Sequence, residues 1–202
     1  MPAKFNRVIS LMIMSDFVVT TSASLLIPIF ALFITQQIRG GTPEVVGFAI
    51  AIYWIVKSVL QLPVARFIDH TKGDADDYHF MLCGLFLGGV IALLYYFARE
   101  VWHVYALQVL YGIADACAVP PFYALFTRHI DKGSEGFEWS IQSSIAFGGG
   151  SALGGALGGV LLGLVGYSNI FLIVSCMYFL SCLMLLFLRP RLIPETPLIT
   201  IK

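Results

Sequence analysis

Charged residues are scarce in this sequence, and their scarcity restricts the class of protein it can encode. Of 202 residues, 12% are Asp, Glu, Lys or Arg, about half of the roughly 25% that is usual in a soluble domain. Apolar residues make up 58% of the chain, too many for a water-soluble surface. A composition this apolar also excludes a disordered chain, because such a chain would bury its apolar surface. The class that remains is an integral membrane protein.

Several signals of other functions are also missing. Twelve Lys and Arg balance twelve Asp and Glu, so no basic excess is available to bind nucleic acid. The four cysteines lie in apolar stretches without a CxxC pair, which argues against a metal site or a disulfide framework. No P-loop, nucleophile elbow or pair of catalytic carboxylates occurs. We therefore expect no enzyme activity, cofactor, metal or nucleic-acid partner.

Apolar runs long enough to cross a bilayer occur six times in the chain. A helix rises about 1.5 Å per residue, so about 20 apolar residues cross the roughly 30 Å of hydrocarbon. The alternating pattern of transmembrane β-strands is absent, so the spans should be helices. We predict an all-α membrane protein in which residues 1–202 form one domain of six transmembrane helices. The predicted spans are about 9–35, 45–67, 79–98, 102–127, 139–165 and 169–188.

The orientation of these spans follows from the positions of Lys and Arg near their ends. If the N-terminus is inside, nine such cations lie on the cytoplasmic side and two on the other. Because cytoplasmic loops are enriched in Lys and Arg, both termini are predicted to be cytoplasmic. We expect a multi-pass protein of a plasma or inner membrane. The cytoplasmic set is Lys4, Arg7, Arg66, Lys72, Arg128, Lys132, Arg189, Arg191 and Lys202, and the outer set is Arg39 and Arg99.

Three ionisable residues lie inside the predicted spans: Asp16 in the first, Lys57 in the second and Asp115 in the fourth. Each costs about 2.5 to 3.5 kcal/mol on insertion scales, so each requires an explanation. A structural explanation is a Lys–Asp pair, with the other acid reaching interfacial water. Polar residues lie at helical spacing from these three, and this pattern favours a functional explanation. The predicted site for substrate and protons consists of Asp16, Thr20, Lys57, Gln108, Tyr111 and Asp115.

Three local patterns resemble those of the major facilitator superfamily, whose transporters have twelve spans in two six-span halves. Residues 63–70, PVARFIDH, are similar to the loop motif GxLaDrxGrr, with Asp69 in the place of the aspartate. Residues 150–159, GSALGGALGG, resemble the GxxxGPxxGG pattern of the family's exchangers, with Gly155 in place of the proline. Residues 166–171 resemble the family's hinge into span six. The resemblance covers the whole chain but only the N-terminal half of the family.

The resemblance implies a secondary transporter with a central cavity lined by spans one and four. The two halves of the family are related by an axis along the membrane normal, so two identical parallel protomers could rebuild the whole architecture. This implies a homodimer that works by alternating access. The exchanger-like glycine pattern favours an antiporter that exports a small organic solute against protons.

Two alternatives to this interpretation stay open. The chain could pair with a separately encoded second half in a heteromeric transporter. It could also be a membrane scaffold that does not transport. Ala65 stands where the loop motif has its glycine, Gln108 where the family's fourth-span pattern RxxxG has its arginine, and Gly155 in place of the proline. These departures favour a scaffold, whereas the ionisable residues inside the spans oppose it.

The glycines of the fifth span form an extended surface of small residues, over which two helix backbones can approach closely. This surface could pack against another helix of the same chain or against a second protomer. Because the family packs its fifth span against the opposite half's equivalent of the second, we favour the protomer interface. The residues predicted for the interface and its gating are Asp69, Gly150, Gly154, Gly158 and Gly159.

The intramembrane charges also suggest where a coupling proton binds. With all three groups ionised, two carboxylates share one Lys, so one carboxylate lacks a partner. Burial disfavours that unpaired charge, so we expect proton uptake to be a step of the cycle. Asp115 is the first candidate for the proton site, and Asp16 is the second.

Overall fold

The computed structural model describes residues 6–70 and 73–189, and these are almost entirely helical. Within these ranges the one β-type pairing is the isolated bridge between Arg39 and Glu100. The predicted cytoplasmic termini lie outside the described residues, as do four of the cations behind that prediction: Lys4, Lys72, Arg191 and Lys202. The helices are α1 Arg7–Gln37, α2 Pro43–His70, α3 Asp74–Tyr95, α4 Val101–His129, α5 Glu135–Ile141 and α6 Gly150–Leu186. A π-helical segment, Gln142–Gly149, connects α5 to α6.

Within the described residues, five helical stretches are long and apolar enough to cross a membrane: α1 to α4, and the continuous stretch Glu135–Leu186 of 52 residues. The first four lie close to the first four predicted spans. The predicted fifth and sixth spans both correspond to the last stretch. As one straight helix, this stretch would be far longer than the roughly 30 Å thickness of a hydrocarbon core. It is broken at Gly166, whose φ of 77° and ψ of 170° are not helical. A positive φ favours glycine, so this residue divides α6 into a first arm, 150–165, and a second arm, 167–186.

The first arm of α6 runs parallel to α1. A Cβ added at Gly150 would lie 3.1 Å from the carbonyl oxygen of Phe17, and one added at Gly158 would lie 2.7 Å from that of Leu25. An advance of eight residues along one helix thus matches an advance of eight along the other. The π-helical segment continues the same contact towards the start of α1.

The second arm of α6 runs antiparallel to α1. The ring centroids of Phe171 and Phe33 are 4.7 Å apart, and the hydroxyl oxygens of Ser181 and Ser15 are 2.6 Å apart. Rising residue numbers in the arm therefore match falling numbers in α1. The chain reverses direction at Gly166, and the two arms of α6 form a hairpin against α1.

The glycines of the first arm lie on two different faces. Added Cβ atoms at Gly150, Gly154 and Gly158 would lie within 3.1 Å of α1 carbonyl oxygens, whereas one at Gly159 would have no neighbour within 4 Å. The predicted interface combined all four residues. In the single chain, Gly150, Gly154 and Gly158 are in contact with α1, because their spacing of four keeps them on one helix face. Gly159 belongs to the open face, together with Gly155.

The remaining helices pack around α4. Gly112 of α4 lies against the backbone of Tyr53 in α2, and Gly84 of α3 lies against the backbone of Ala114 in α4. The Ser175 hydroxyl of the second arm donates to the carbonyl of Gly89 in α3 at 2.8 Å. The helices therefore follow one another in the order α2, α4, α3, second arm, α1 and first arm. Because α1 and α4 hardly touch, a cleft remains between them.

Ion pairs join α3 and α4 where α4 ends. Arg128 contacts Asp74 at 3.0 Å between Nε and Oδ1 and also pairs with the fully buried Asp77. His129 Nε2 lies 3.4 Å from Asp74 Oδ2. Asp69, which the sequence predicts for the protomer interface and its gating, lies exposed in the last turn of α2. The acids that hold this end together belong to the first turn of α3.

We expect Gly154→Ala to lower the free energy of unfolding by about 1 to 3 kcal/mol. The new Cβ would lie 2.3 Å from the carbonyl oxygen of Thr21, so α1 and α6 would have to separate. Gly155→Ala is the matched control, because it is the next residue and its added Cβ has no neighbour within 4 Å. Ala favours a helix over Gly by about 0.8 to 1.0 kcal/mol, so the control should be neutral or stabilising. Thermal unfolding in one detergent compares them, and equal effects would contradict the described packing.

Candidate functional site

A cavity of about 640 Å³ lies in the cleft between α1 on one side and α2 and α4 on the other. Residues of α3, the π-helical segment and α6 complete its wall. All six residues predicted to bind substrate or protons line this cavity. They are Asp16, Thr20, Lys57, Gln108, Tyr111 and Asp115.

Lys57 and Asp115 form an ion pair across α2 and α4. The Lys57 Nζ lies 2.9 Å from Asp115 Oδ2 and donates to the Tyr53 hydroxyl at 3.1 Å. The Tyr53 hydroxyl in turn donates to the same carboxylate oxygen. Because Tyr53 precedes Lys57 by one helical turn, α2 presents both side chains to α4 together. Three polar groups thus satisfy one another in the wall of the cavity.

The aromatic rings of α2 hold the Lys57 ammonium group as well. Its Nζ lies 5.4 Å from the ring centroid of Tyr53 and 5.2 Å from that of Trp54. Cation–π contacts at this range stabilise an ammonium group where water is scarce. Lys57 is therefore bound by a carboxylate, a hydroxyl and two rings, all from α2 and α4.

Asp16 stands apart from this cluster, on the α1 wall. Its Oδ2 accepts a hydrogen bond from Gln142 Nε2 at 2.8 Å. Among the described residues, no Lys, Arg or His forms an ion pair with it. This partner, Gln142, is the first residue of the π-helical segment, an irregularity that recurs at functional sites. Asp16 is thus a carboxylate held in place by a neutral donor.

A pair of tyrosines connects α4 with the second arm of α6. The hydroxyl oxygens of Tyr111 and Tyr178 are 2.5 Å apart, and the ring of Tyr111 lies 5.3 Å from that of Tyr53. Gln108, one turn before Tyr111, is buried, while Thr20 lies one turn after Asp16 on α1. Hydroxyl and amide groups therefore accompany the three charges around the cavity.

The structure brings the predicted residues together and adds three that sequence reasoning missed. Tyr53 could have been found, because it lies one turn from Lys57 and faces the same way. Gln142 and Tyr178 carried no such signal, since each lies on a helix distant in sequence from its partner. The cavity does not include Asp69 or the glycines predicted for the interface.

The helices and the cavity together define an integral, multi-pass membrane protein whose polar site lies among its membrane-length helices. Residues 12–200 match the family model of the Major Facilitator Superfamily. The chain therefore belongs to the Major Facilitator Superfamily. Members of this superfamily are membrane transporters, and this membership supports a membrane transporter here.

The ion pair across α2 and α4 should show energetic coupling between Lys57 and Asp115. Lys57→Met or Asp115→Asn alone leaves one charge without its partner, which we expect to cost about 1 to 3 kcal/mol of unfolding free energy. The double variant removes both charges, so its loss should be smaller than the sum of the two. Thermal unfolding of the three variants beside the parent protein in one detergent measures this coupling. Additive losses would contradict the pairing.

Proposed function

We propose that this chain is a secondary active transporter that works as a parallel homodimer with a central cavity, by alternating access. It exports a small organic solute in exchange for protons. The observation that carries this proposal is the cavity between α1 and the pair α2 and α4, which has Asp16, Lys57 and Asp115 in its wall. Ionisable side chains at membrane depth mark the paths of solutes and protons.

The proposal includes six membrane passages, with both termini in the cytoplasm. It also includes a single domain over residues 1–202. The hairpin at Gly166 supports two passages for the long last stretch. Val8 and Leu188 belong to one buried cluster, so both ends of the described chain lie at the same end of the bundle. An even number of passages accounts for this. Arg128 lies at that end, and the ion pair of Arg39 with Glu100 lies at the opposite one.

A second copy of the chain is proposed because the cavity needs a cover. In a single chain, the open side of the cleft would bring charged groups towards lipid, which cannot solvate them. α2 and the first arm of α6 flank this opening, and both are largely exposed. Ala49 and Ile68 are the buried residues of α2. The open glycine face, with Gly155 and Gly159, permits close approach of another helix.

Within this mechanism, we propose Asp16 as the carboxylate that takes up the coupling proton. Sequence analysis ranked Asp115 first, but Asp115 is paired with Lys57 and accepts from Tyr53. Such a partner stabilises the ionised carboxylate. Asp16 has a neutral amide donor instead, and the described residues provide it with no cation. It is therefore the carboxylate whose charge a proton or a substrate can neutralise.

The proposed dimer should place α2 of one protomer against the first arm of α6 in its partner. In a variant without the four native cysteines, Ile55→Cys combined with Leu153→Cys should form a disulfide between chains under mild oxidation. Both native side chains are exposed, Ile55 at 63% and Leu153 at 43%. Phe86→Cys combined with Leu153→Cys is the control, because the exposed Phe86 lies on α3.

Denaturing gels of membranes then compare the two pairs. A dimer band for the first pair and none for the control is the expected result. Equal cross-linking of both pairs, or none of the first, would contradict this interface. Copurification of a different second chain with the tagged protein from native membranes would favour the heteromeric alternative.

Proton coupling should depend on Asp16. In proteoliposomes with a pH-sensitive dye inside, a transported solute added from a panel of small organic molecules should move protons in the parent protein. Asp16→Asn should abolish this proton movement and leave passive exchange of the radiolabelled solute measurable. Asp76→Asn, which removes an exposed carboxylate outside the cavity, should behave as the parent. Proton movement by Asp16→Asn at the parent rate would show that Asp16 is not the coupling site.

A further inference from the structure

We propose that the cavity binds an organic cation with an aromatic or aliphatic body, and that Asp16 is its counter-ion. This inference rests on the proposed transport function and assigns the charge and the apolar character of the substrate. It follows from the way in which the three charged groups of the cavity are already paired.

The charges of the cavity wall do not balance. Lys57 neutralises Asp115 at 2.9 Å, which leaves the carboxylate of Asp16 as the excess charge among the described lining residues. Gln142 bonds one of its two oxygens, Oδ2, at 2.8 Å. No donor among the described residues bonds Oδ1 of Asp16, so this oxygen is available to a ligand. A cation that enters the cavity would therefore complete the charge balance.

An anionic substrate has no comparable partner here. Among the described residues of the cavity wall, Lys57 is the cation, and its ammonium group contacts Asp115, Tyr53 and the ring of Trp54. An anion would have to displace the Asp115 carboxylate from this arrangement. It would also have to lie in the same cavity as the negative charge of Asp16. Both requirements oppose the binding of an anion.

The aromatic residues of the cavity suit the body of such a cation. Trp54, Tyr123 and Phe147 line it and keep half or more of their surface exposed, at 55%, 50% and 63%. Aromatic faces attract cations and also contact apolar groups. A volume of about 640 Å³ falls within the roughly 300 to 1,000 Å³ of sites for drug-sized molecules. Rings and carboxylate together thus favour a bulky cation over a small inorganic one.

The test compares two ions of nearly equal shape and opposite charge. The purified full chain in phosphatidylcholine nanodiscs is mixed with radiolabelled tetraphenylphosphonium or tetraphenylborate, and binding to empty nanodiscs is subtracted. We expect saturable binding of tetraphenylphosphonium and none of tetraphenylborate. Equal binding of both ions, preference for tetraphenylborate, or binding of neither would overturn the proposal. This comparison uses the parent protein, so it does not depend on the folding of a variant.

Two variants then assign the charge selectivity to Asp16. Asp16→Asn keeps the shape of the side chain and should weaken tetraphenylphosphonium binding by at least about tenfold, a change worth about 1.4 kcal/mol. Asp76→Asn, with its exposed position in the first turn of α3, should bind as the parent does. A folded Asp16→Asn with the parent affinity would overturn the assignment.

This binding test and the transport test can fail separately. Binding is measured without a gradient or a flux, so a chain that binds the cation but moves no solute would refute the proposed function and leave this inference standing. A chain that transports only neutral or anionic solutes would refute this inference and leave the proposed function standing.

Discussion

The close approach of α1 and α6 is the contact on which the arrangement of the site depends. Gly150, Gly154 and Gly158 allow the first arm of α6 to lie against the α1 backbone, and the reversal at Gly166 returns the second arm to the same helix. In lipid, where the hydrophobic effect does not drive helices together, such packing is a main source of association. It brings Gln142 to Asp16, and it leaves the cleft towards α2 and α4 open.

The pairing of charges across that cleft decides what each carboxylate can do. A charge at membrane depth is costly unless it has a partner, and Asp115 has one in Lys57 at 2.9 Å. Asp16 has a neutral amide instead. Two residues of the same type, on two walls of one cavity, therefore differ in chemistry because of the helices that face them. The proposed proton site and the proposed cation site both follow from this difference.

Part of the site could be predicted from the sequence. A charged residue inside a membrane span is costly, so Asp16, Lys57 and Asp115 can be recognised as candidates without knowing where the fold places them. Their partners could not be predicted in the same way. Gln142 follows Asp16 by 126 residues, and nothing in the local pattern indicates that a hairpin brings them together. The glycine pattern likewise identified a packing surface but not its occupant, because spacing defines a helix face without saying which neighbour covers it.

The sequence alone determined that this is a helical membrane protein, since scarce charge and long apolar runs leave no other class, and it determined which residues require a polar environment. The tertiary structure decided which of those residues meet. It paired Asp115 with Lys57, held Asp16 beside Gln142, and turned three glycines towards α1. The physical reason is that apolar composition is a property of each segment by itself, whereas the pairing of charges and the close approach of backbones depend on the packing of helices far apart in sequence.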